Sequence, residues 1–389
     1  MRSAGQPNGS FVSCSGRVAQ AACTCAALAT KIHALSVRRW GNNAPPVMVG
    51  VHPRFTAALD RLACFAGSPD PVLLTGETGT GKELFARSLY LLSDRDGRPF
   101  LSVNCAQYRE GQLLASELFG HRKGSFTGAV SDHVGLLEAA HGGVVFLDEV
   151  AELSACAQAM LLRVLGEGEI VPVGDTRPRR VDVRIVAAAG ADLRTMVRSG
   201  RFREDLYYRL RGFHVQVPPL RDRGEDWLLL RDHYLDELSH CGGRHKAFSE
   251  ESTALLNGYR WPGNIRELKS VVSTGFHVSE GEMIEPRHFL ELLEETARQD
   301  QLARVPLVDL ETTCYERMLV DKASFWDVVH QPYMERELSR PQVRTILARG
   351  LEESRGSYKK LLPLFGVADG DYLRFMDFLR HHRLKPEGE

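Results

Sequence analysis

Four short apolar runs mark the chain between residues 70 and 190: "PVLLTG", "RPFLSVNC", "GGVVFLDEV" and "DVRIVAAAG". Between them lie helix-length amphipathic segments at 83–92, 111–118 and 155–166. Short apolar strands alternating with helices predict an α/β fold, a parallel sheet covered on both faces. After "VPPLRDRGED" the pattern turns wholly helical from Trp227 to about Arg298, and Pro218–Pro219 marks the entry into this smaller domain. In "WPGNIRELKSVV", Asn264 suits an N-cap and Glu267 stands three residues on, the spacing of a capping box. A third helical region follows from about 306, with breaks at Pro332, Pro341, Gly356, Gly366 and Gly370. Residues 1–45, rich in Gly, Ser, Asn and Ala, read as a poorly ordered leader. The expected divisions are therefore a leader (1–45), an α/β domain (46–220), a helical subdomain (221–300), a helical linker of unknown role (301–338) and a terminal helical domain (339–389). No repeat recurs at a fixed period.

A length of 389 residues fits two or three domains. The formal net charge of −1 decides nothing about nucleic acid, so any DNA-binding surface must be local. No stretch approaches the roughly 20 apolar residues of a membrane helix, and Arg17 and Gln20 interrupt the small-residue tract near the start. Of eight cysteines only Cys23 and Cys25 sit close together, which is no zinc pattern, and reduced thiols in a cytoplasmic protein are expected.

"GETGTGKE", Gly76 to Glu83, follows an apolar run and opens a helical one, the context of a phosphate-binding loop. Gly76, Gly79 and Gly81 let backbone N–H groups turn inward around a polyphosphate, with Glu77, Thr78 and Thr80 between them. Lys82 would reach the terminal phosphates. Glu83 stands where a hydroxyl residue usually helps to hold Mg²⁺. "VVFLDEV" delivers Asp148 and Glu149 to the end of a strand, Asp148 to hold Mg²⁺ and Glu149 to polarise a water. "RFREDLYYRL" supplies Arg203 and Arg209 as candidates to stabilise transferred charge. "GHRKGSFTGAV" places glycines around Phe126 and Thr127, a hinged loop with an apolar tip and a hydrogen-bonding one.

From about Val47 to Leu293 the chain resembles the AAA+ domain of bacterial enhancer-binding proteins, the ATP-driven activators of sigma-54 RNA polymerase. The resemblance rests on "GETGTGKE", "VNCA", "SELFGHRKGSFTGA", "VVFLDEV", "FREDLYYRL", "PPLRDR" and "WPGNIRELK". It implies an ATPase with ATP and Mg²⁺ as ligands, working as a homo-oligomeric ring, commonly a hexamer. The loop Gly124, Ser125, Phe126, Thr127, Gly128 and Ala129 would engage sigma-54 in the polymerase holoenzyme. Asn104 would restrain Glu149, Arg203 and Arg209 would act on ATP in the neighbouring subunit, and Arg266 would sense phosphate from the lid.

Two departures qualify that picture. Ala189 and Gly190 stand where the family carries Thr and Asn, which removes a polar pair beside the γ-phosphate. Forty-five residues ahead of the core are too few for a sensory domain, so control would fall to a separate regulatory protein, the C-terminal region or abundance. The last 50 residues loosely resemble a Fis-type helix-turn-helix, with Gly366 at the turn. Leu373, Phe375, Met376 and Leu379 would pack inward, and Arg374, Arg380, His381 and Arg383 would meet DNA at an upstream site. The competing readings are an ATP-binding regulator with weak or no hydrolysis, and an AAA+ remodeller of another protein substrate.

Overall fold

A computed structural model describes residues 17–41, 47–108, 111–242, 244–304, 310–334, 338, 340–382 and 384. They fall into two compact units, residues 1–294 and 295–389.

The first unit opens with α1 (Arg17–Trp40) and α2 (Pro53–Cys64). Next come β1 (Val72–Thr75), α3 (Lys82–Leu92), β2 (Phe100–Asn104), α4 (Gly111–Phe119), α5 (Leu136–Ala139) and β3 (Val144–Asp148). The chain continues through α6 (Ala155–Glu167), the hairpin β4 (Glu169–Ile170) and β5 (Arg179–Arg180), β6 (Arg184–Ala189), α7 (Leu193–Arg198), α8 (Glu204–Leu210) and β7 (Phe213–Gln216). The main sheet runs β2-β3-β6-β1-β7 and every neighbouring pair is parallel. Successive residues point to opposite faces of a strand. Leu73, Val145, Leu147, Ile185 and Ala187 accordingly pack with α4, α6 and α8, while Val72, Leu74, Val144, Phe146 and Val186 pack with α2 and α3. The sheet buried on both faces explains why the four runs read as apolar throughout. The edge strand β7, "FHVQ", escaped that reading because only Val215 in it is fully buried.

The leader departs from expectation. Residues 1–16 and 42–46 lie outside the described residues, but 17–40 form a helix that joins the core. Ile32 is fully buried, Leu28, Ala29, Leu35 and Trp40 pack beside it, and Trp40 lies 6.1 Å from the Tyr90 ring with Arg87 over its face. Apolar positions at 28, 32 and 35 share one helical face, a stripe too sparse to stand out among small residues.

The lid comprises α9 (Asp226–Gly242), α10 (Glu250–Asn257), α11 (Asn264–Val278) and the start of α12 (Leu290–Arg304). It is not wholly helical: β8 (Ala247–Phe248) pairs with β9 (Met283–Ile284).

In the second unit, α13 (Leu310–Leu319), a π-helical turn at Trp326–His330, α14 (Gln331–Met334), α15 (Arg340–Glu353), α16 (Tyr358–Leu364) and α17 (Tyr372–His381) enclose one core. The expected boundary at 339 is therefore not a boundary. Phe325 stacks on Phe365 and meets Phe375 and Phe378 edge-on, so the segment read as a linker fills the centre of this unit.

Candidate active site

The phosphate-binding loop leaves β1 at Thr75 and enters α3 at Lys82. Gly79 and Gly81 have φ of 80° and 94°, which a side chain would resist. A Cβ at Gly79 would also clash with the Gly263 carbonyl oxygen of the lid. Lys82 is buried and closes the loop on itself: its Nζ donates to the Gly76 oxygen at 2.9 Å and to the Glu77 oxygen at 3.3 Å. The loop, Asp148 and Glu149 border one cleft of roughly 530 Å³, whose far end is walled by Val49, Phe55, Leu230, Tyr234 and Ile265.

Asp148 ends β3, and its Oδ1 accepts the Glu149 N–H at 3.1 Å. Burial and then the neighbouring Glu149 push its carboxyl above the ordinary range. Burial, reinforced by Asp148, pushes the Cys105 thiol up to about 12. Two adjacent carboxylates beside one ammonium leave negative charge that a divalent cation would relieve, and one or two carboxylates plus substrate phosphates suit Mg²⁺. Among the described residues no cluster of three or more His, Cys, Asp or Glu forms an all-protein metal cage. Glu83 lies on the exposed side of α3, paired with Arg87 at 2.8 Å.

Glu149 is the most informative side chain. It sits in left-handed backbone, φ 51°, with Oε1 3.7 Å from Lys82 Nζ and Oε2 accepting the Gly190 N–H at 3.1 Å. Asn104 does not hold it. The Asn104 Oδ1 instead caps the short 3₁₀ turn that follows, accepting the Ala106 N–H at 2.9 Å. The physical reason is local: Asn104 ends β2 where the chain turns at once, and its amide satisfies the first free N–H of that turn.

The lid is stitched to the loop by Asn264, which the sequence pattern misassigned, together with Arg221 and Ile265. Asn264 is not an N-cap; it is the first residue of α11, fully buried, with φ 53°. Its Oδ1 accepts the Leu220 N–H at 2.8 Å, and its Nδ2 donates to the Thr78 oxygen at 3.1 Å and to Glu77 Oε2 at 3.2 Å. Glu267 still caps, one residue earlier, by accepting the Gly263 N–H. Arg221 grips the Glu77 carboxylate with two N–H groups, and Ile265 N–H donates to the Gly79 oxygen. Asparagine tolerates positive φ and offers both donor and acceptor, which suits it to this junction.

Arg266 is exposed on the rim of the cleft, beside Lys269. Arg203 and Arg209 do not border it. Arg203 is paired with Asp205 at 2.7 Å, and Arg209 donates to the Leu165 oxygen from a separate groove between α6 and α8.

The loop 120–133 is closed at its root by an antiparallel bridge between His121 and His133. Arg122 pairs with Asp132 and with Asp175 of the β4–β5 connection, joining two neighbouring loops. Gly124 and Gly128, φ 82° and 103°, make the tip, where Gly124 N–H donates to the Ala129 oxygen at 2.9 Å. Phe126 does not project. It is half-buried, its ring edge-on to His121 at 5.0 Å, while Ser125 lies against Gly174 and Thr127 and Val130 are exposed. Ala129 is buried.

In the second unit, α16 and α17 flank a turn at Gly366, whose φ is 60°. Leu373 is exposed, against expectation; the buried stripe of α17 is Phe375, Met376, Phe378 and Leu379, and 373 falls outside that arc. Arg374 lies over the Trp326 ring at 4.2 Å and Arg380 pairs with Asp377 at 3.4 Å, while His381 is exposed. Arg383 lies outside the described residues. No helix among the described residues is long and apolar enough to cross a membrane.

Residues 48–216 match the sigma-54 interaction domain and residues 221–305 the AAA+ ATPase lid domain. The phenol regulator MopR of Acinetobacter guillouiae is 50% identical over 225 residues, covering 58% of this chain and 40% of the relative. The DNA-binding transcriptional regulator NtrC of Azospirillum brasilense is 39% identical over 321 residues, covering 82% and 66%. The crystal structure of NtrX from Brucella abortus in complex with ADP superposes with a TM-score of 0.59 at 26% identity, covering 86% of this chain and 70% of that one. The chain spans less than half the length of the first of these relatives.

Proposed function

This chain belongs to the family of AAA+ proteins built on the sigma-54 interaction domain and its lid, and on that premise we propose that it is an ATPase that activates transcription by remodelling the sigma-54 polymerase at a promoter. The observation that carries the reading is the convergence of Lys82, Asp148 and Glu149 in one cleft roofed by the lid. Lys82 exchanges the carbonyl oxygens it now holds for the terminal phosphates of ATP. Asp148 would hold Mg²⁺, which would supply charge neutralisation at the phosphates. Glu149 orients the attacking water, and Arg266 meets phosphate from the lid. Arg203 and Arg209, which do not border their own cleft, serve the next subunit of a ring.

The product of that turnover is movement of the loop Gly124–Ala129. In the state described here Phe126 is stowed against His121, so delivery to sigma-54 requires the loop to rise on Gly124 and Gly128. Steady-state phosphate release and open-complex formation on a sigma-54 promoter test the reading together. Glu149→Gln should abolish both, and Thr127→Ala should abolish promoter opening while ATP consumption persists. A Thr127→Ala protein that opens promoters like the parent would sink it.

One observation favours a second reading, an ATP-binding regulator with weak hydrolysis: Gly190 stands where the family carries Asn and has no side chain to offer a phosphate or water. A Gly190→Asn variant that turns over ATP from a parent baseline near zero would favour it.

A further inference from the structure

The central strand β6 lies between β1, which carries the phosphate-binding loop, and β3, which carries the carboxylates. Whatever stands at its carboxyl end therefore lies between the phosphate-binding loop, through Thr78, and Glu149. Here that position is Gly190, and the volume a side chain would fill is taken by the Glu149 carboxylate. A Cβ built on Gly190 would lie 3.2 Å from both carboxylate oxygens and 3.4 Å from Thr78 Oγ1. The backbone N–H of Gly190 meets Oε2 at 3.1 Å, and Lys82 Nζ stands 3.7 Å from Oε1. Asn104, at the end of β2, uses its Oδ1 to accept the Ala106 N–H and makes no hydrogen bond to Glu149 among the described residues.

We infer that Gly190 is the positioning residue that parks Glu149: its backbone N–H, with Lys82, holds the carboxylate away from a water-activating position until a polyphosphate draws Lys82 off. The inference deepens the ATPase reading and rests on it. Among the described residues Lys82 is held only by neutral carbonyl oxygens and a carboxylate at 3.7 Å. A polyphosphate offers it charge-assisted bonds at shorter range. Once Lys82 moves, Glu149 keeps a single hydrogen bond and faces new negative charge, so the parked position loses to the working one. The absent side chain thus has a consequence beyond a missing phosphate contact: it makes room for a resting state in which the base is out of play.

Two measurements on the full-length protein test this. In the first, Gly190→Ala crowds the parked carboxylate, and kcat for ATP should rise about threefold or more with KM within about twofold of the parent, Gly190→Asn raising it further. A folded Gly190→Ala protein whose kcat is unchanged or lower overturns the inference, as does Asn104→Ala raising kcat more than Gly190→Ala does. The second needs no turnover and no change at residue 190. The Gly190 amide proton resonance should lie downfield in the nucleotide-free protein, and should move upfield on Glu149→Ala and on adding a non-hydrolysable ATP analogue with Mg²⁺. An amide resonance that ignores Glu149→Ala overturns the inference. If that resonance responds as stated while the parent shows no ATP turnover under any condition, the parking stands and the ATPase reading falls.

Discussion

Asn264 shows how far a single residue can diverge from its local pattern. Its neighbours spell a capping box, yet its partners are Glu77 and Thr78, more than 180 residues away in sequence, and no window of a dozen residues contains them. Removing its amide leaves the Leu220 N–H without its acceptor and unties the lid from the phosphate-binding loop. Asn264→Ala should cost about 1–3 kcal/mol, with added strain at positive φ, whereas Asn264→Gly removes the same bonds but relieves the backbone. Both should raise KM for ATP, and urea midpoints should place the Ala variant lower. Cys105 gives a second check at this scale. Buried beside Asp148 with its thiol at about 12, it should resist iodoacetamide at pH 8 in the native protein, while exposed Cys64 and Cys156 are alkylated. Peptide mass spectrometry after a timed pulse reads the difference. That Lys82, Asp148 and Glu149 share a cleft was legible because each follows the end of an apolar strand, Lys82 at the close of the glycine-rich loop after β1 and the carboxylates at the end of β3; the Gly190 contact was not, because a backbone N–H leaves no mark in a sequence.

Elements were legible where burial on both faces wrote an unbroken apolar run, and obscure where a helix touches the core along a thin stripe. The helix α1 is the clearest example. Its composition suggested disorder, but Ile32 reaches full burial against the same core as Phe55 and Leu89. Ile32→Ala should therefore destabilise the first unit by about 2–5 kcal/mol, the range for a large aliphatic removed from a packed site. A thermal midpoint equal to the parent's would show that α1 does not dock. In the second unit the arginines of α17 divide into two kinds. The Arg374 guanidinium lies on Trp326, a contact worth about 0.5–2 kcal/mol to the unit. Arg380 is exposed and only loosely paired, so it is the better candidate for a phosphate contact. Arg374→Ala should lower the thermal midpoint of the unit. If α17 meets DNA, Arg380→Ala should reduce the slope of log Kd against log salt by about one.

At the scale of the whole molecule the separation of charges across the first unit becomes the central fact. Lys82, Asp148 and Glu149 lie in the cleft, while Arg209 borders a different cavity between α6 and α8 and Arg203, at the start of α8, is paired with Asp205. On the proposed reading, each chain presents part of a hydrolytic site on each of two surfaces and another copy completes it. Specific ATPase activity should then rise with protein concentration, reaching a plateau once rings have formed. A sharper test mixes two inactive proteins. Arg209→Ala keeps its Glu149 but offers its neighbour no arginine; Glu149→Gln keeps the arginine but has no base. In a random equimolar ring, a competent site needs the first protein followed by the second. That arrangement occurs at about a quarter of the interfaces for head-to-tail packing, so mixing should restore about a quarter of parental turnover. If Arg209 acts on its own chain's nucleotide, every subunit in the mixture carries a lesion in its own site and no activity returns.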